Sequence, residues 1–311
     1  MTCCPTRSDH PEATLAVSHA DPYEAAEPGN DAIVLRGGKF TIGTSDTILP
    51  DDGEKPTRSV RMKPFAIDPV AITNCRFAMF VESTGYVTDA ERFGWSYVFQ
   101  AMVNDPGQYD RLPGADWWCA VPEARWDQPE GASSGIAERG EHPVVHISRN
   151  DALAFAGWAG GRLPSEAEWE FAARGGLDQQ RYPWGNREPD DVAFQPCNIW
   201  QGEFPFMNTI ADGYLSTAPA QSFEPNGFGL FNMVGNVWEW TNDVFRVRSL
   251  RRSTKRQPKK QNEEQIYVLK GGSYLCHKSY CYRYRVAARS SNTANSSTGH
   301  TGFRLAYNIS R

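Results

Sequence analysis

Cys276 and Cys281 lie five positions apart within residues 271–285, and two thiols this close in sequence could bind a metal ion or take part in redox chemistry. In a chain of intracellular character, thiols are more often metal ligands or redox groups than structural disulfides. An extended strand would place residues five apart on opposite faces and ~16 Å from each other. A helix brings together residues three or four apart, not five. If the thiols act together, the segment must therefore fold back as a loop, and Gly271 and Gly272 give that loop a flexible start.

The residue types at the pair favour a soft metal ion. Two thiolates without another soft ligand suit Cu(I), which prefers sulfur, and two-coordination leaves room for a third sulfur from a substrate. Nearby cationic side chains can favour thiolate over thiol: His277, Lys278, Arg283 and Arg285. Spacing alone equally allows a redox-inert buried pair or a stabilising disulfide.

The composition indicates a globular protein with a substantial core. Of 311 residues, 40% are hydrophobic and 22% charged, which suits one large domain or two small ones. The net charge of −5 argues against a nucleic-acid partner. No run of ~20 apolar residues occurs, so no membrane span is predicted. Aromatic residues reach 12%, which suits a loop-rich fold whose core is filled by large rings.

Residues 1–31 are predicted to be a disordered tail, because they are polar and lack the apolar run of a secretory signal. This indicates a cytoplasmic protein. Cys3 and Cys4 are expected to be an exposed pair without function. Cys75, Cys119 and Cys197 are expected to be reduced core or sub-surface thiols. The basic segment 246–265 is predicted to be a mobile solvated loop.

The pattern of regular elements predicts an α+β fold with low secondary-structure content. Strands are predicted at 33–43, with a bulge at the Gly-Gly pair, and at 59–70. Helices are predicted at 73–84, capped by Thr73, and at 150–160, capped by Asn150 with Leu153 and Phe155 facing inward. A third helix at 164–174 has Ser165 and Glu168 as a capping box.

Eight segments in this order resemble the formylglycine-generating enzyme (sulfatase-modifying factor) family. Residues 271–285, GGSYLCHKSYCYRYR, are the specific part, and the similarity runs from about Ile33 to Tyr307. The other segments are GGKF at 37–40, HPVVH at 142–146, GRLPSEAEWE at 161–170, NIWQG at 198–202, NGFGL at 226–230, GNVWEW at 235–240, and ARSSN at 288–292 followed by GFR at 302–304.

The resemblance implies one catalytic domain over residues 32–311, with a variant of the C-type lectin fold. It implies copper-dependent oxidation by O2 of a cysteine in Cys-X-Pro-X-Arg segments of unfolded sulfatases, giving Cα-formylglycine and thereby activating the sulfatase. The implied partner is the unfolded sulfatase, without nucleic acid or membrane, and the protein is expected to be a monomer.

The same resemblance assigns roles to individual residues. Cys276 and Cys281 correspond to copper ligands, with Cys281 as the partner in disulfide exchange with substrate. Ser273 and Trp238 correspond to the oxygen pocket, and Tyr280 helps to shape the site. Two structural calcium sites are implied, at Asn198, Ile199, Asp212 and Tyr214, and at Asn232, Gly235, Val237 and Glu239.

Other positions test the resemblance. Two disulfides of animal secretory members map to Ala156 with Leu305 and to Ala173 with Val286, so neither can form.

His142 and His146 are expected to make framework hydrogen bonds rather than bind iron, because no third ligand accompanies them at a recognisable spacing. Candidates for the substrate groove, each equally able to be core, are Trp95, Tyr97, Trp117, Trp118, Arg289, Ser290 and Asn292.

Two other functions are compatible with parts of the sequence. A sulfoxide synthase acting on a histidine derivative should bring an N-terminal helical domain with a three-histidine iron site, for which the sequence shows no pattern. A lectin-like binding module of the same fold would be favoured by loss of either active cysteine, and both are present.

Overall fold

The computed structural model describes residues 4–6, 31–247 and 264–309. Most of the tail predicted at 1–31 and of the basic loop predicted at 246–265 lies outside these ranges, so both remain predictions. No helix within the described ranges is long and apolar enough to cross a membrane.

Within these ranges, short strands, four short α-helices and three 3₁₀ turns make up the regular structure. The α-helices are α1 Asn74–Thr84, α2 Asp89–Phe93, α3 Arg149–Trp158 and α4 Glu166–Ala173. The strands are β1 Ile33–Leu35, β2 Gly38–Ile42, β3 Arg58–Met62, β4 Phe65–Ile67, β5 Trp95–Phe99, β6 Asp110–Leu112, β7 Ala115–Pro122, β8 Gly202–Glu203, β9 Met207–Asn208, β10 Trp238–Val244, β11 Ile266–Lys270, β12 Ser290–Thr293, β13 Thr301–Gly302 and β14 Ala306–Asn308. This is the α+β fold with low secondary-structure content that the sequence predicts.

A four-stranded sheet with the order β12-β11-β10-β13 carries the site. β11 pairs antiparallel with both β10 and β12, and β13 pairs parallel with β10. Residues 271–289 therefore connect two neighbouring antiparallel strands, and the segment with both thiols is the connection. The other sheets of the described residues are smaller: β1-β4-β14, β5-β7-β6, β2-β3 and β8-β9.

The predicted helix ends are right for two helices and wrong for the third. Thr73 caps α1, and Ser165 and Glu168 form the capping box of α4. In α3 the cap is Ser148 and not Asn150, because the Ser148 hydroxyl accepts from the Asp151 N–H while the Asp151 carboxylate accepts from the Ser148 N–H. Leu153, predicted to face inward, is 38% exposed.

Both predicted strands are interrupted. The first divides into β1 and β2 at Gly37, whose φ of +68° and close approach to the Met62 carbonyl exclude a Cβ atom. The second divides into β3 and β4 around Pro64, which has no N–H to donate to a sheet.

The cysteines outside the pair differ in burial. Cys119 and Cys197 are buried as predicted, but Cys75 is exposed. The prediction that Cys4 is exposed is wrong, because Cys4 is fully buried, with its Sγ 3.8 Å from the Ser290 hydroxyl on β12.

Large rings and apolar side chains fill the main core. Trp169, Trp238 and Trp240 are fully buried in it. The four positions to which the family resemblance maps two disulfides also lie in this core and contribute apolar side chains: Ala156, Ala173, Val286 and Leu305.

A buried charge cluster connects α4 to the sheet. The Glu170 carboxylate accepts from Arg174 at 2.7 Å and from Lys270, the last residue of β11, at 3.3 Å. Burial alone would raise the pKa of Glu170, but Lys270 and Arg174 outweigh it and lower that pKa. The Glu170 carboxylate is therefore the counter-ion of two buried cations, and one of them directly precedes the loop that carries the thiols.

Replacing Glu170 with Gln should strongly destabilise the protein. The change keeps the side-chain shape but leaves Lys270 and Arg174 buried without a counter-charge, so the free energy of unfolding should fall by about 3–5 kcal/mol. Denaturant unfolding measures this. The matched control is Asp127→Asn, which breaks a partly exposed pair with Arg125 and should cost under ~1 kcal/mol. Equal effects of the two changes would contradict the role of the cluster.

Candidate functional site

The loop between β11 and β12 folds back on itself, as the cysteine spacing requires. Gly271 and Gly272 adopt φ of +96° and +75°, and a Cβ at Gly272 would lie 3.1 Å from the Tyr284 backbone. Tight turns follow, with the Cys281 N–H donating to the His277 carbonyl at 2.8 Å. Both thiols are fully buried, and their Sγ atoms lie 2.9 Å apart. The prediction that the segment curls to bring the two cysteines together is confirmed.

The thiol pair fits a soft ion of low coordination number. The Sγ–Sγ distance exceeds the ~2.05 Å of a disulfide and is short enough for the sulfurs to act on one ion. Within the described part of the chain, no group of three or more His, Cys, Asp or Glu could hold a metal. Zinc usually takes four ligands, whereas Cu(I) prefers sulfur. The donor set therefore fits copper better than zinc.

Of the four cations predicted to favour the thiolates, Arg283 is the one placed next to a sulfur. Its guanidinium Nη1 is 3.9 Å from Cys281 Sγ, while its Nε donates to Asp52 at 2.6 Å. Arg285 pairs instead with Glu54. His277 lies 3.5 Å from Asp191, and burial lowers the pKa of its ring. Arg283 is thus a cation in contact with a sulfur, and Asp52 pairs with the same guanidinium.

Ser273 and Trp238, predicted to line the oxygen pocket, both connect to His300. The Ser273 hydroxyl is 3.0 Å from His300 Nδ1, and the Ser273 N–H donates to Cys276 Sγ at 3.4 Å. The backbone N–H of Trp238 donates to the His300 carbonyl at 2.9 Å. His300 was missed in the sequence, although it lies two residues before the GFR motif.

Burial keeps the His300 ring neutral. Desolvation, reinforced by His146, lowers the pKa of His300 to about 3. Its Nε2 is buried without a hydrogen-bond partner among the described residues, and the indole Nε1 of Trp238 has none either. Buried polar groups in this state are costly and point to a bound molecule. The same holds for the indoles of Trp117, Trp118 and Trp200.

An aromatic wall is built from Tyr280, Phe204 and Trp117. The Tyr280 ring stacks on Phe204 at 4.1 Å between centroids, and Trp117 packs edge-on against Tyr280 at 5.0 Å. The backbone N–H of Trp200 donates to the Cys276 carbonyl at 3.0 Å, which connects this wall to the loop that carries the thiols. Tyr280 thus helps to shape the surroundings of the loop, and Phe204 is a further contributor that the sequence did not reveal.

The groove candidates separate into different environments. Trp118 packs against His300 at 4.7 Å, and Trp95 packs against Tyr97 at 5.0 Å. Arg289 is engaged by Glu166 and by backbone carbonyls, so it belongs to the framework. Ser290 and Asn292 lie on β12, where they contact residues 4 and 5.

The first predicted calcium set gathers oxygen atoms. Asn198 Oδ1 is buried with no hydrogen-bond partner in the described ranges. The Asp212 carboxylate accepts from the Ile199 N–H at 3.2 Å and from the Tyr214 N–H at 3.0 Å, which brings all four residues together. Burial raises the pKa of Asp212. The carboxylate and the open Asn198 oxygen are ligands that calcium prefers. The Gln201 side-chain amide donates to the same carboxylate at 2.9 Å and to the Ile199 carbonyl, and a neutral amide opposes a cation less than a guanidinium does.

The second predicted set fits calcium less well. Asn232 Oδ1 is buried without a partner in the described chain. The Glu239 carboxylate, however, accepts from Arg304 at 2.7 Å and from the Trp169 indole at 2.7 Å. A guanidinium at the carboxylate opposes a cation there. Gly235 and Val237 can offer only backbone carbonyls, so the main charged ligand of this set is already engaged.

The two histidines of the HPVVH motif make the framework hydrogen bonds predicted for them. His146 is fully buried, with Nδ1 2.8 Å from the Ser96 hydroxyl and Nε2 2.8 Å from the Pro129 carbonyl. His142 Nδ1 lies 3.0 Å from the Thr217 hydroxyl.

Comparison with known proteins agrees with this geometry. The family model described as "Sulfatase-modifying factor enzyme 1-like domain" matches residues 18–309. The chain belongs to this family. It is 51% identical to a protein of Thermomonospora curvata named formylglycine-generating enzyme, over 95% of this chain and 98% of that one.

Two further similarities show how far the fold extends. A Mus musculus protein named "Inactive C-alpha-formylglycine-generating enzyme 2" is 45% identical over 89% of this chain and 85% of that one. The solved structure of PvdO from Pseudomonas aeruginosa has a TM-score of 0.64 at 23% identity, covering 93% of this chain and all of that one. The PvdO likeness concerns the fold alone.

The buried His300 should make stability depend on pH. Its folded pKa of about 3 lies below the unfolded value of ~6.5. Its contribution is therefore complete above pH ~6.5 and is lost as pH falls towards 3, by up to ~1.4 kcal/mol per unit. Unfolding of the wild type and of His300→Gln from pH 4.5 to 7.5 tests this, because other titrating groups cancel in the difference. The wild-type slope should be steeper, and equal slopes would contradict a buried neutral ring.

Proposed function

We propose that this protein is an oxidase that converts a cysteine in Cys-X-Pro-X-Arg segments of unfolded sulfatases to Cα-formylglycine, using Cu(I) and O2. The observation that carries the proposal is the pair Cys276 and Cys281, fully buried with its sulfurs 2.9 Å apart. Membership of the sulfatase-modifying family and the high identity to proteins named formylglycine-generating enzyme support it.

The overall reaction defines what the site must handle. The substrate CH2–SH group, O2 and two thiols of an external reductant give an aldehyde, hydrogen sulfide, water and one disulfide. Bound Cu(I) would supply the one-electron chemistry with O2 that amino-acid side chains lack. Cys276 and Cys281 would hold it, and a substrate thiol can join them as a third sulfur.

The surrounding residues prepare the thiols and the space beside them. Arg283, 3.9 Å from Cys281 Sγ, favours the thiolate by its charge. The Ser273 N–H donates to Cys276 Sγ and fixes the direction of that side chain. The Trp238 indole and the neutral His300 ring offer polar atoms without partners in the described chain, to which a bound water molecule can hydrogen-bond.

The aromatic wall gives the substrate segment an apolar surface. Tyr280, Phe204 and Trp117 pack against one another and limit access of water to the loop. A proline two positions after the reacting cysteine suits such a surface, because its ring is apolar and its backbone is already restrained.

A binding module without catalysis is the second candidate, since one relative is named inactive. Both thiols are present here and converge, which favours the enzyme. Iron-dependent sulfoxide synthesis is less favoured, because His142 and His146 make framework contacts.

Mass spectrometry of a synthetic Cys-X-Pro-X-Arg peptide tests the proposal. Aerobic incubation with the protein and a thiol reductant should yield the aldehyde with Cu(I) and little without it. Cys276→Ala and Cys281→Ala should each lower turnover at least ~100-fold, as for loss of a metal ligand. The matched control is Cys75→Ala, which removes an exposed thiol and should leave turnover unchanged.

Two results would count against this reading. Turnover that survives Cys281→Ala would exclude the pair as copper ligands. An unchanged peptide, with the protein folded and loaded with copper, would exclude the activity and favour the binding module.

We also propose structural calcium at the first set. Asn198 and Asp212 would bind through side chains, and Ile199 and Tyr214 through carbonyls, while the second set remains a weaker candidate. Calcium that binds only the folded state raises stability by mass action.

Removing calcium should therefore lower the melting temperature. Calcium at 100 times its Kd would stabilise by about 2.7 kcal/mol, and Asp212→Asn should abolish most of the response to calcium or chelator. Asp178→Asn, at an exposed carboxylate, is the control. A reductant should leave the melting temperature unchanged because no disulfide joins the described cysteines to one another. A full calcium response in Asp212→Asn would contradict the site.

A further inference from the structure

The Arg283 guanidinium lies between two groups that are far apart in the chain. Its Nε and Nη2 donate to the two carboxylate oxygens of Asp52, at 2.6 Å and 3.1 Å. Its third nitrogen, Nη1, donates to Cys281 Sγ at 3.9 Å. A bidentate contact with a carboxylate fixes the plane of a guanidinium. The contact with Asp52 therefore sets the direction in which Nη1 reaches the sulfur.

We propose that Asp52 is a positioning residue of the thiol site and acts on Cys281 through Arg283. The inference rests on the function proposed above and deepens it, because it adds to the site a residue that lies 231 positions before Arg283. The Asp52 carboxylate needs no contact with the reacting atoms for this role. It needs only to hold the cation that touches the sulfur.

The backbone of residues 50–54 is held by contacts that do not involve the Asp52 side chain. The Asp52 carbonyl accepts from Arg289 at 3.0 Å. The carboxylate of Glu54, which is buried, pairs with Arg285. Both arginines belong to the connection between β11 and β12 that carries the thiols. A change at the Asp52 carboxylate should therefore alter the guanidinium and leave the segment in place.

Burial explains why the guanidinium needs a carboxylate partner. The Arg283 side chain is 13% exposed and that of Asp52 is 16% exposed. Keeping a charge away from water is costly unless the charge is paired and hydrogen-bonded. Removing the carboxylate charge takes away a counter-ion and weakens two hydrogen bonds. The Arg283 side chain should then turn towards water and away from the sulfur.

A cation beside the sulfur matters because of the charge that the site would carry. Two thiolates with one Cu(I) have a net charge of about −1, which is costly in a buried position. A guanidinium hydrogen-bonded to one sulfur offsets that charge. Asp52 reduces the total positive charge nearby, but it keeps the guanidinium where it acts. We therefore expect loss of the Asp52 carboxylate to weaken the binding of Cu(I).

Competition with a chromophoric chelator for Cu(I) tests the assignment on the full-length apo protein. Asp52→Asn keeps the shape of the side chain and should weaken Cu(I) binding about 10–100-fold, as is usual when a group that orients a metal ligand is changed. The matched control is Asp51→Asn, which removes an exposed carboxylate from the same turn. The control should bind Cu(I) as the wild type does.

A double-mutant cycle shows whether Asp52 acts through Arg283. Once Arg283→Gln has removed the guanidinium, Asp52→Asn should change the Cu(I) affinity by less than about twofold. The cycle also separates positioning from folding, because a general loss of structure would lower the affinity in both backgrounds. An equal loss of affinity in the two backgrounds would overturn the inference.

Turnover of a Cys-X-Pro-X-Arg peptide, assayed in parallel, distinguishes the two proposals. Conversion of the peptide by the wild type, with equal Cu(I) affinity of the wild type and Asp52→Asn, would overturn this inference and leave the proposed function intact. A wild type that neither binds Cu(I) nor converts the peptide would overturn both.

Discussion

The close approach of Gly272 to the Tyr284 backbone is the constraint on which the site depends. A Cβ atom at position 272 would lie 3.1 Å from that backbone, and the residue has a φ of +75°, so glycine is strongly favoured where the two ends of the loop meet. Once they meet, the residues between them must turn twice, and Cys276 and Cys281 face each other inside the turn. Neither a strand nor a helix brings residues five positions apart together. The two sulfurs meet here because the loop is closed at its base.

Buried charge keeps the base of the loop in place. Lys270, the last residue of β11, is held by Glu170 of α4, and Arg285, just after the loop turns, is held by Glu54. On the neighbouring strand, Glu239 is held by Arg304. Buried pairs of this kind add little net stability, but breaking one is costly, so they strongly disfavour other registers. The thiols are thus positioned by ion pairs that take no part in the chemistry.

The sequence predicted features whose causes are local and missed those that need distant partners. The loop at Cys276 and the capping box of α4 follow from spacing and residue type within a few positions. The predicted start of α3 at Asn150 was wrong even though the cause is local, because Ser148 and Asp151, three residues apart, form a capping box. Leu153 was misplaced in the same helix. His300 against Ser273, Phe204 against Tyr280 and Asp52 against Arg283 join residues far apart in the chain, and no local pattern announces them.

The thiols lie in a connection between two strands that already pair as neighbours. The sheet, the aromatic core and most of the charge network are complete without the two sulfur atoms. Selection can therefore replace the two thiols alone, while their buried neighbours in the same loop, Tyr284 and Val286, still complete the core. A chain of this fold can thus lose the chemistry and retain the architecture, and a relative that is 45% identical is named inactive.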